Sequence, residues 1–185
     1  EYGGSLALVK AAIRRTGISG GLRILVRSEA PPASGLGSSA SLGVAAVGAL
    51  TWRSRRYLLP YAAARLAQAL ETEELDLECG VQDQLAAAYG GVNYIEVRYP
   101  EASVHPVPVT DRFLCELESR LVLVYTGRSR FSSDTHRKVI EGHASGVPGV
   151  RAAFDGLLET APAALDAVLR EDFRGLADAV NRNWG

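Results

Sequence analysis

The sequence predicts an α+β fold, because helical and strand patterns follow one another along the chain. Apolar residues recur every three or four positions in residues 5–16 and 60–74, as in amphipathic helices. From Leu22 onward, apolar Leu22, Ile24 and Val26 alternate with positions that include Arg23 and Arg27, which is typical of a strand with one face in water. Residues 93–109 contain two further runs rich in Val, Ile and Tyr. The chain therefore combines both kinds of element.

Four elements are predicted in the first half of the chain. A helix over residues 5–16 ends before Gly17, and a strand over residues 22–30 ends before Pro31 and Pro32. A glycine-rich turn then leads into an uncharged helix that is expected to be buried and to last until Arg53. The helix over residues 60–74 ends in an acidic stretch.

The second half of the chain begins with a short Ala-rich helix that ends at the two glycines 90–91. Three strands are predicted after it, over residues 93–99, 104–109 and 117–127. From Ser132 onward the pattern is helical, and we expect breaks between helices at residues 145–149 and 160–162.

The composition excludes several classes of protein. With 47% hydrophobic and 22% charged residues, the chain is too apolar to be disordered. Its 20 basic and 21 acidic residues leave a net charge of -1, so nothing favours binding to nucleic acid or to an anionic membrane. No run approaches the roughly 18 apolar residues of a membrane helix. We expect a soluble, cytoplasmic protein with a small-molecule partner and with no nucleic-acid or membrane partner.

Two rarer residue types add to this interpretation. The chain contains no Met, which indicates a processed form or a fragment of a longer protein. Cys79 and Cys115 have no His or Cys at metal-ligand spacing, so we expect inert thiols that need no oxidising compartment.

The most informative segment is residues 34–40, Ser-Gly-Leu-Gly-Ser-Ser-Ala. Gly35 and Gly37 permit positive φ angles and allow a ligand to approach the backbone closely. Ser38 and Ser39 then open a helix, whose first amides lack intrahelical acceptors and whose dipole is positive at that end. The segment is a candidate phosphate site, and a glycine turn with a serine N-cap is the alternative. It is not a Walker A loop, because the Gly-Lys-Ser/Thr ending is missing.

Two acidic residues complete a candidate site for phosphoryl transfer. That reaction requires magnesium in an oxygen-rich shell, which Glu71 and the Ser39 hydroxyl are able to supply. It also requires a carboxylate near the acceptor hydroxyl, and Asp83 lies at the mouth of an apolar helix, where N-capping is the alternative role. By composition three neighbouring acids are equal candidates for the role of Glu71: Glu73, Glu74 and Glu78.

These motifs resemble those of the GHMP kinases, the superfamily of galactokinase, homoserine kinase, mevalonate kinase and phosphomevalonate kinase. PPASGLGSSAS is similar to their second signature, and Leu70-Glu71 together with residues 80–84 resembles their magnesium-glutamate and catalytic-aspartate segment. VQDQLAAAYGGVNYIEV is similar to the branch of D-glycero-D-manno-heptose 7-phosphate kinases and fucokinase-like sugar kinases. The resemblance extends from about Leu8 to the 130s.

The resemblance implies the fold, the cofactors and the roles of individual residues. Residues 1–114 would form a ribosomal-protein-S5-like N-terminal domain without its first strands, and residues 115–185 the beginning of a ferredoxin-like C-terminal domain. ATP and Mg²⁺ would be the cofactors, with Ser39 and Glu71 as metal ligands and Asp83 as the base or orienter of the acceptor hydroxyl. The ATP-phosphate loop would consist of Ser34, Gly35, Leu36, Gly37, Ser38, Ser39 and Ala40.

The implied activity is ATP-dependent phosphorylation of a sugar or sugar phosphate, first of all at C1 of a heptose 7-phosphate. L-Fucose or another sugar phosphorylated at C1 is the second choice. A non-catalytic nucleotide- or sugar-binding sensor is the alternative from another class, although a sensor has no need of a carboxylate such as Asp83. A structural oligomerisation domain has only the Ala-rich helices in its favour. The terminal motifs of the family are missing, so this chain alone could be inactive.

Overall fold

The computed structural model describes residues 6–30, 34–124 and 132–184, and the side chains of the last range from residue 136. The described residues are mostly helical and include one β-hairpin, in agreement with the α+β prediction. The elements are α1 (Ala7–Thr16), α2 (Ser38–Arg53), α3 (Pro60–Ala69) with a π-helical turn (Leu70–Glu74), α4 (Gln82–Tyr89), β1 (Asn93–Arg98), β2 (Glu101–Pro106), α5 (Asp111–Arg120), α6 (Ser132–Ala144), α7 (Pro148–Leu169) and α8 (Phe173–Trp184).

The chain divides into two compact units, which are described separately. The first contains α1 to α4, the π-helical turn and residues 95–104 of the hairpin. The second contains residues 105–124, with α5, and residues 137–184, with α7 and α8. No helix in the described ranges has both the length and the apolar character that a membrane crossing requires.

The core of the first unit lies between α1, α2 and α3. Its buried side chains are small or branched aliphatics, which allow the helices to approach closely. Gly43 of α2 is one point of this approach, because a Cβ on it would lie 3.4 Å from the Cβ of Ala67 on α3. The buried members of the cluster are Leu8, Ala11, Ala12, Val47, Leu50, Ala67 and Leu70.

A second cluster holds α4 against α3 and the hairpin. Leu85 of α4 is fully buried and lies in one cluster with Ala64 of α3 and with Val81, the residue before α4. Ile95 and Val104 of the hairpin pack against the same cluster. This packing fixes the start of α4 beside the end of α3. Of the predicted site residues, Asp83 lies at the start of α4 and Glu71 in the π-helical turn that follows α3.

The predicted helices and the hairpin of the first unit are confirmed, with two differences. The helix over residues 60–74 changes from α to π geometry at Leu70. The second hairpin strand begins at Glu101 rather than at residue 104, since the turn between the strands is only Tyr99-Pro100.

The strand predicted over residues 22–30 is wrong, because none of these residues is in a strand. A strand needs a neighbour that accepts and donates its backbone hydrogen bonds. The sheet of the described residues contains only β1 and β2, so none of their strands pairs with the alternating segment. Leu22, Ile24 and Val26, the apolar positions of the alternation, are 39%, 42% and 40% exposed, so this face does not form part of a buried core in the structure.

The strand predicted over residues 117–127 is also not observed where the structure describes it. Residues up to Arg120 belong to α5, and residues 121–124 form no strand; residues 125–127 lie outside the described ranges. Helix α5 begins at Asp111 because Thr110 caps it: the Thr110 hydroxyl accepts a hydrogen bond from the backbone N–H of Phe113 at 3.1 Å. The predicted domain boundary between residues 114 and 115 falls inside this helix and stays a prediction.

The helical C-terminal part is confirmed, but one of its two breaks is not. Residues 145–147 separate α6 from α7, and Pro148 occupies the first turn of α7, where its missing N–H costs nothing. The break predicted at residues 160–162 is wrong, because α7 continues through Pro162. The buried residues Thr160 and Ala167 lie on either side of Pro162, and α7 packs against α8 although proline lacks the N–H of a regular helical hydrogen bond.

Candidate functional site

The predicted phosphate loop turns into the start of α2 through two glycines in the left-handed region. Gly35 has φ 79° and Gly37 has φ 64°, and Gly37 is the N-cap residue of α2. The serine N-cap alternative is therefore wrong: Ser38 is already inside the helix, and no side-chain hydrogen bond caps it. The Ser41 N–H donates to the Gly37 carbonyl at 2.9 Å, so the amides before Ser41 lie at the uncapped, positive end of the helix dipole.

The side chains of the loop differ in exposure. Gly35, Leu36 and Ser39 are exposed, and Gly37 and Ser38 are half-buried. Ala40 is 3% exposed and belongs to the core face of α2. The Oγ of Ser34 is buried and has no hydrogen-bond partner among the described residues. The loop thus presents its backbone outward while Ala40 anchors the helix behind it.

Glu71 is a buried carboxylate that links the π-helical turn to the start of α2. It is 7% exposed and accepts hydrogen bonds on both oxygens. The Ser39 hydroxyl donates to Oε2 at 3.1 Å, and Nε2 of Gln84 donates to Oε1 at 2.9 Å. Buried carboxylates are tolerated only with such donors. The two residues that the sequence pairs as metal ligands, Ser39 and Glu71, are therefore in contact.

Glu71 has different partners from the neighbouring acids Glu73 and Glu74. Glu73 and Glu74 form ion pairs with Arg15 of α1, at 2.7 Å and 3.2 Å. Glu71 instead accepts from side chains of α2 and α4. The π-helical turn that carries it is a rare geometry found frequently at functional sites.

Asp83 lies on the first turn of α4, beside the phosphate loop. A Cβ on Gly37 would lie 3.5 Å from Oδ2 of Asp83 and 3.6 Å from its Cγ. The N-cap of α4 is Val81, so the N-capping role considered for Asp83 is wrong. Its exposed carboxylate is thus held next to the residue that begins α2.

The sequence did not indicate that two further side chains, Gln84 and Cys79, lie at this site. Gln84 is 2% exposed and lies between Glu71 and Cys79, with Nε2 3.8 Å from Sγ. The only signal was an amide directly before the apolar run Leu85-Ala86-Ala87-Ala88. Burial, and then the charge of Glu71, raise the pKa of the Cys79 thiol to about 11, and Asp83 adds a smaller contribution of the same sign. Cys79 is therefore protonated at neutral pH, as an inert thiol should be.

The metal-ligand potential of this site is limited to a few oxygen atoms. No group of three or more His, Cys, Asp or Glu side chains suited to a metal occurs among the residues that the structure describes. The Ser39 hydroxyl and Oε2 of Glu71 are hard oxygen donors in contact with each other. Such a partial set fits Mg²⁺, which usually takes one or two protein ligands together with phosphate oxygens and water.

Comparisons with known proteins point to one family. Residues 6–91 match the family model described as the GHMP kinases N terminal domain. The chain is 32% identical over 161 residues to the D-glycero-alpha-D-manno-heptose 7-phosphate kinase of Campylobacter jejuni, a match that covers 85% of this chain and 46% of that protein. It is 28% identical over 195 residues to the bifunctional fucokinase/GDP-fucose pyrophosphorylase of Arabidopsis thaliana, covering 100% of this chain and 18% of the relative.

A solved structure agrees with these relatives. The crystal structure of a D-glycero-D-manno-heptose 1-phosphate kinase from Bacteroides thetaiotaomicron superposes with a TM-score of 0.76 and 28% identity. The match covers 96% of this chain and 53% of that one. The chain thus has the fold of this family and spans about half the length of the heptose kinases it matches.

Proposed function

We propose that this chain, which belongs through residues 6–91 to the GHMP kinase N-terminal domain family, carries the phosphate loop and catalytic carboxylates of an ATP-dependent sugar kinase. The observation that carries the proposal is the convergence of Ser39, Glu71 and Asp83 at the start of α2. These residues come from three separate elements, and a common structural role does not explain why polar groups of this kind meet beside an uncapped helix end.

The phosphates of ATP would bind at the loop of residues 34–40. The uncapped amides at the start of α2 and the positive end of its dipole attract anions. Gly35 and Gly37 keep Cβ atoms away from the approaching phosphate oxygens. This part of the proposal needs no side-chain charge, which suits a loop that contains no Lys or Arg.

The Ser39 hydroxyl and Glu71 would hold Mg²⁺. The ion, when bound, neutralises the phosphate oxygens during transfer. Burial of Glu71 supports this assignment, because a carboxylate at 7% exposure acts in a less screened environment than one in open solvent.

Asp83 would accept the proton of the acceptor hydroxyl. The hydroxyl oxygen forms a bond to the γ-phosphorus, the bond from that phosphorus to the β,γ-bridging oxygen breaks, and ADP leaves with that electron pair. The proton passes to the carboxylate of Asp83. The position of Asp83 beside Gly37 supports this role, because a base must lie next to the transferred phosphoryl group.

The acceptor that the relatives favour is a D-glycero-D-manno-heptose phosphate. Both heptose kinases that match are named for this sugar, and they cover most of this chain. We propose the C1 hydroxyl of the 7-phosphate as the acceptor. L-Fucose is the second candidate, since the fucokinase relative from Arabidopsis matches the entire chain. The division into two kinase domains and the cytoplasmic location remain part of the proposal.

The direct test is ADP release by the full-length protein with ATP and Mg²⁺. D-glycero-D-manno-heptose 7-phosphate, L-fucose and D-galactose are compared at equal concentrations, and the product is analysed for phosphate at C1. We expect the highest kcat/KM with the heptose phosphate. Higher kcat/KM with L-fucose would replace the substrate assignment, whereas calorimetric ATP binding without ADP release for any sugar would favour the non-catalytic sensor.

A further inference from the structure

We infer that Gln84 is a positioning residue of this kinase site, which fixes the Glu71 carboxylate so that Oε2 stays at Ser39. The inference rests on the proposed function, because it assigns a role to the side chain that holds the proposed metal ligand. Two contacts of this buried amide, with Glu71 and with Cys79, carry the assignment.

Each of the two oxygens of Glu71 accepts a hydrogen bond from a different side chain. Gln84 Nε2 occupies Oε1 at 2.9 Å, and the Ser39 hydroxyl occupies Oε2 at 3.1 Å. A carboxylate bound at one oxygen by a fixed donor cannot rotate freely about its last torsion. Gln84 therefore fixes the plane of the carboxylate, and with it the direction of the oxygen that faces Ser39, in the way that outer-shell partners orient metal ligands in other proteins.

The Gln84 amide is oriented with its nitrogen toward Glu71. Oε1 of Gln84 is buried and has no partner in the part of the chain that the structure describes. Rotating the amide by 180° would place Oε1 against the Glu71 carboxylate, where two acceptors would face each other. The amide thus keeps its N–H toward Glu71 even though its own oxygen is left without a donor. The contact with Glu71 dominates the placement of this side chain.

The Gln84 side chain is itself held in place by its surroundings. Gln84 is followed by Leu85, which is fully buried, and both lie on the first two turns of α4. The amide also contacts Cys79 Sγ, so its second N–H is directed as well. The helix fixes the backbone of Gln84, and the contact with Cys79 directs its amide. Such an ordered donor loses little further conformational entropy when it positions Glu71.

The test uses Gln84→Met, which keeps an unbranched side chain of similar length and removes the amide. Binding of Mn²⁺ to the full-length protein with the non-hydrolysable ATP analogue AMP-PNP is followed by electron paramagnetic resonance, a readout independent of turnover. We expect binding about 10- to 100-fold weaker, the usual range for outer-shell substitutions. Gln82→Met, an exposed position on the same helix, is the matched control and should bind Mn²⁺ as the parent does.

A double-mutant cycle with Glu71→Gln separates positioning from mere packing. If Gln84 acts through Glu71, Q84M should weaken Mn²⁺ binding in the parent but have little further effect in the E71Q background. Equal effects in both backgrounds would overturn the inference, as would a Q84M protein with unchanged binding. Cys79→Ala removes only the longer contact of the amide, at 3.8 Å, and should therefore weaken Mn²⁺ binding less than Q84M does.

The cycle also distinguishes failure of the inference from failure of the proposed function. Weaker Mn²⁺ binding in E71Q with unchanged binding in Q84M leaves the metal assignment intact and refutes the role of Gln84. Unchanged binding in E71Q refutes both. If Q84M fails to fold, Gln84→Asn replaces it: the shorter amide cannot reach Oε1, so the same loss is expected, and unchanged binding overturns the inference.

Discussion

The carboxylate of Asp83 lies against Gly37, although the two residues are 46 positions apart in the sequence (83 − 37). A Cβ on Gly37 would be 3.5 Å from Oδ2 and 3.7 Å from Cβ of Asp83, which is ordinary van der Waals contact. Space therefore does not exclude a side chain at position 37. The φ angle of 64° disfavours one, because it is the left-handed conformation that costs other residues free energy.

Gly37→Ala should lower the free energy of unfolding by about 1–2 kcal/mol, the cost of the left-handed conformation. Gly48→Ala, in the middle of the same helix with open space at its Cβ, is the matched control. It should raise the free energy of unfolding by about 0.5–1 kcal/mol, because alanine favours a helix interior more than glycine does. Urea titration of both variants measures the difference, and shifts of the same sign would contradict the geometry.

Asp83→Asn in the full-length protein should lower kcat by about 10²- to 10⁴-fold, with KM for ATP nearly unchanged. Asparagine keeps the shape of the side chain and loses the base, so only the chemical step should suffer. Steady-state kinetics with saturating sugar check this. Glu73→Gln, which removes an acid paired with Arg15, is the control and should retain activity. An unaltered kcat with a raised KM for ATP would move Asp83 to the nucleotide side.

The Cys79 thiol should react with iodoacetamide much more slowly than the exposed Cys115 at pH 8. Only the thiolate reacts, and a pKa of about 11 keeps Cys79 protonated there, so its rate should rise as the pH approaches that value. Mass spectrometry of the two cysteine peptides at several pH values provides the measurement.

Glu71→Gln should shift the alkylation profile of Cys79 to lower pH. The negative charge of Glu71 raises the pKa of the thiol, second only to burial, so neutralising it lowers that pKa and speeds alkylation at a fixed pH. Glu73→Gln should leave the profile in place. Identical profiles for the parent and E71Q would show that Glu71 does not lie near Cys79.

Phe113→Ala should destabilise the second unit by about 3–5 kcal/mol. Phe113 is 1% exposed and stacks on Phe173, with ring centroids 4.9 Å apart. Phe154→Ala should cost much less, since that ring is 39% exposed. Thermal unfolding followed by circular dichroism compares the two variants. Equal losses would show that Phe113 is not the centre of this core.

The sequence by itself determined the elements that depend on neighbouring residues. The helix from Ser38 to Arg53, the short helix before Gly90 and the hairpin after it were all predicted, because helical periodicity and glycine stops act within a few positions. The family resemblance of its motifs pairs Ser39 with Glu71, and the structure places their oxygens 3.1 Å apart. Their roles in metal binding stay a prediction.

Tertiary structure alone decided the features that depend on distant partners. Residues 22–26 carry a strand pattern, but a strand forms only where a neighbour satisfies its backbone, and the described chain provides none there. Four acids looked alike in the sequence until packing buried Glu71 between Ser39, 32 positions before it, and Gln84, 13 positions after it. Local patterns carry no record of such contacts, because burial and hydrogen-bond partners are set when separate helices pack together.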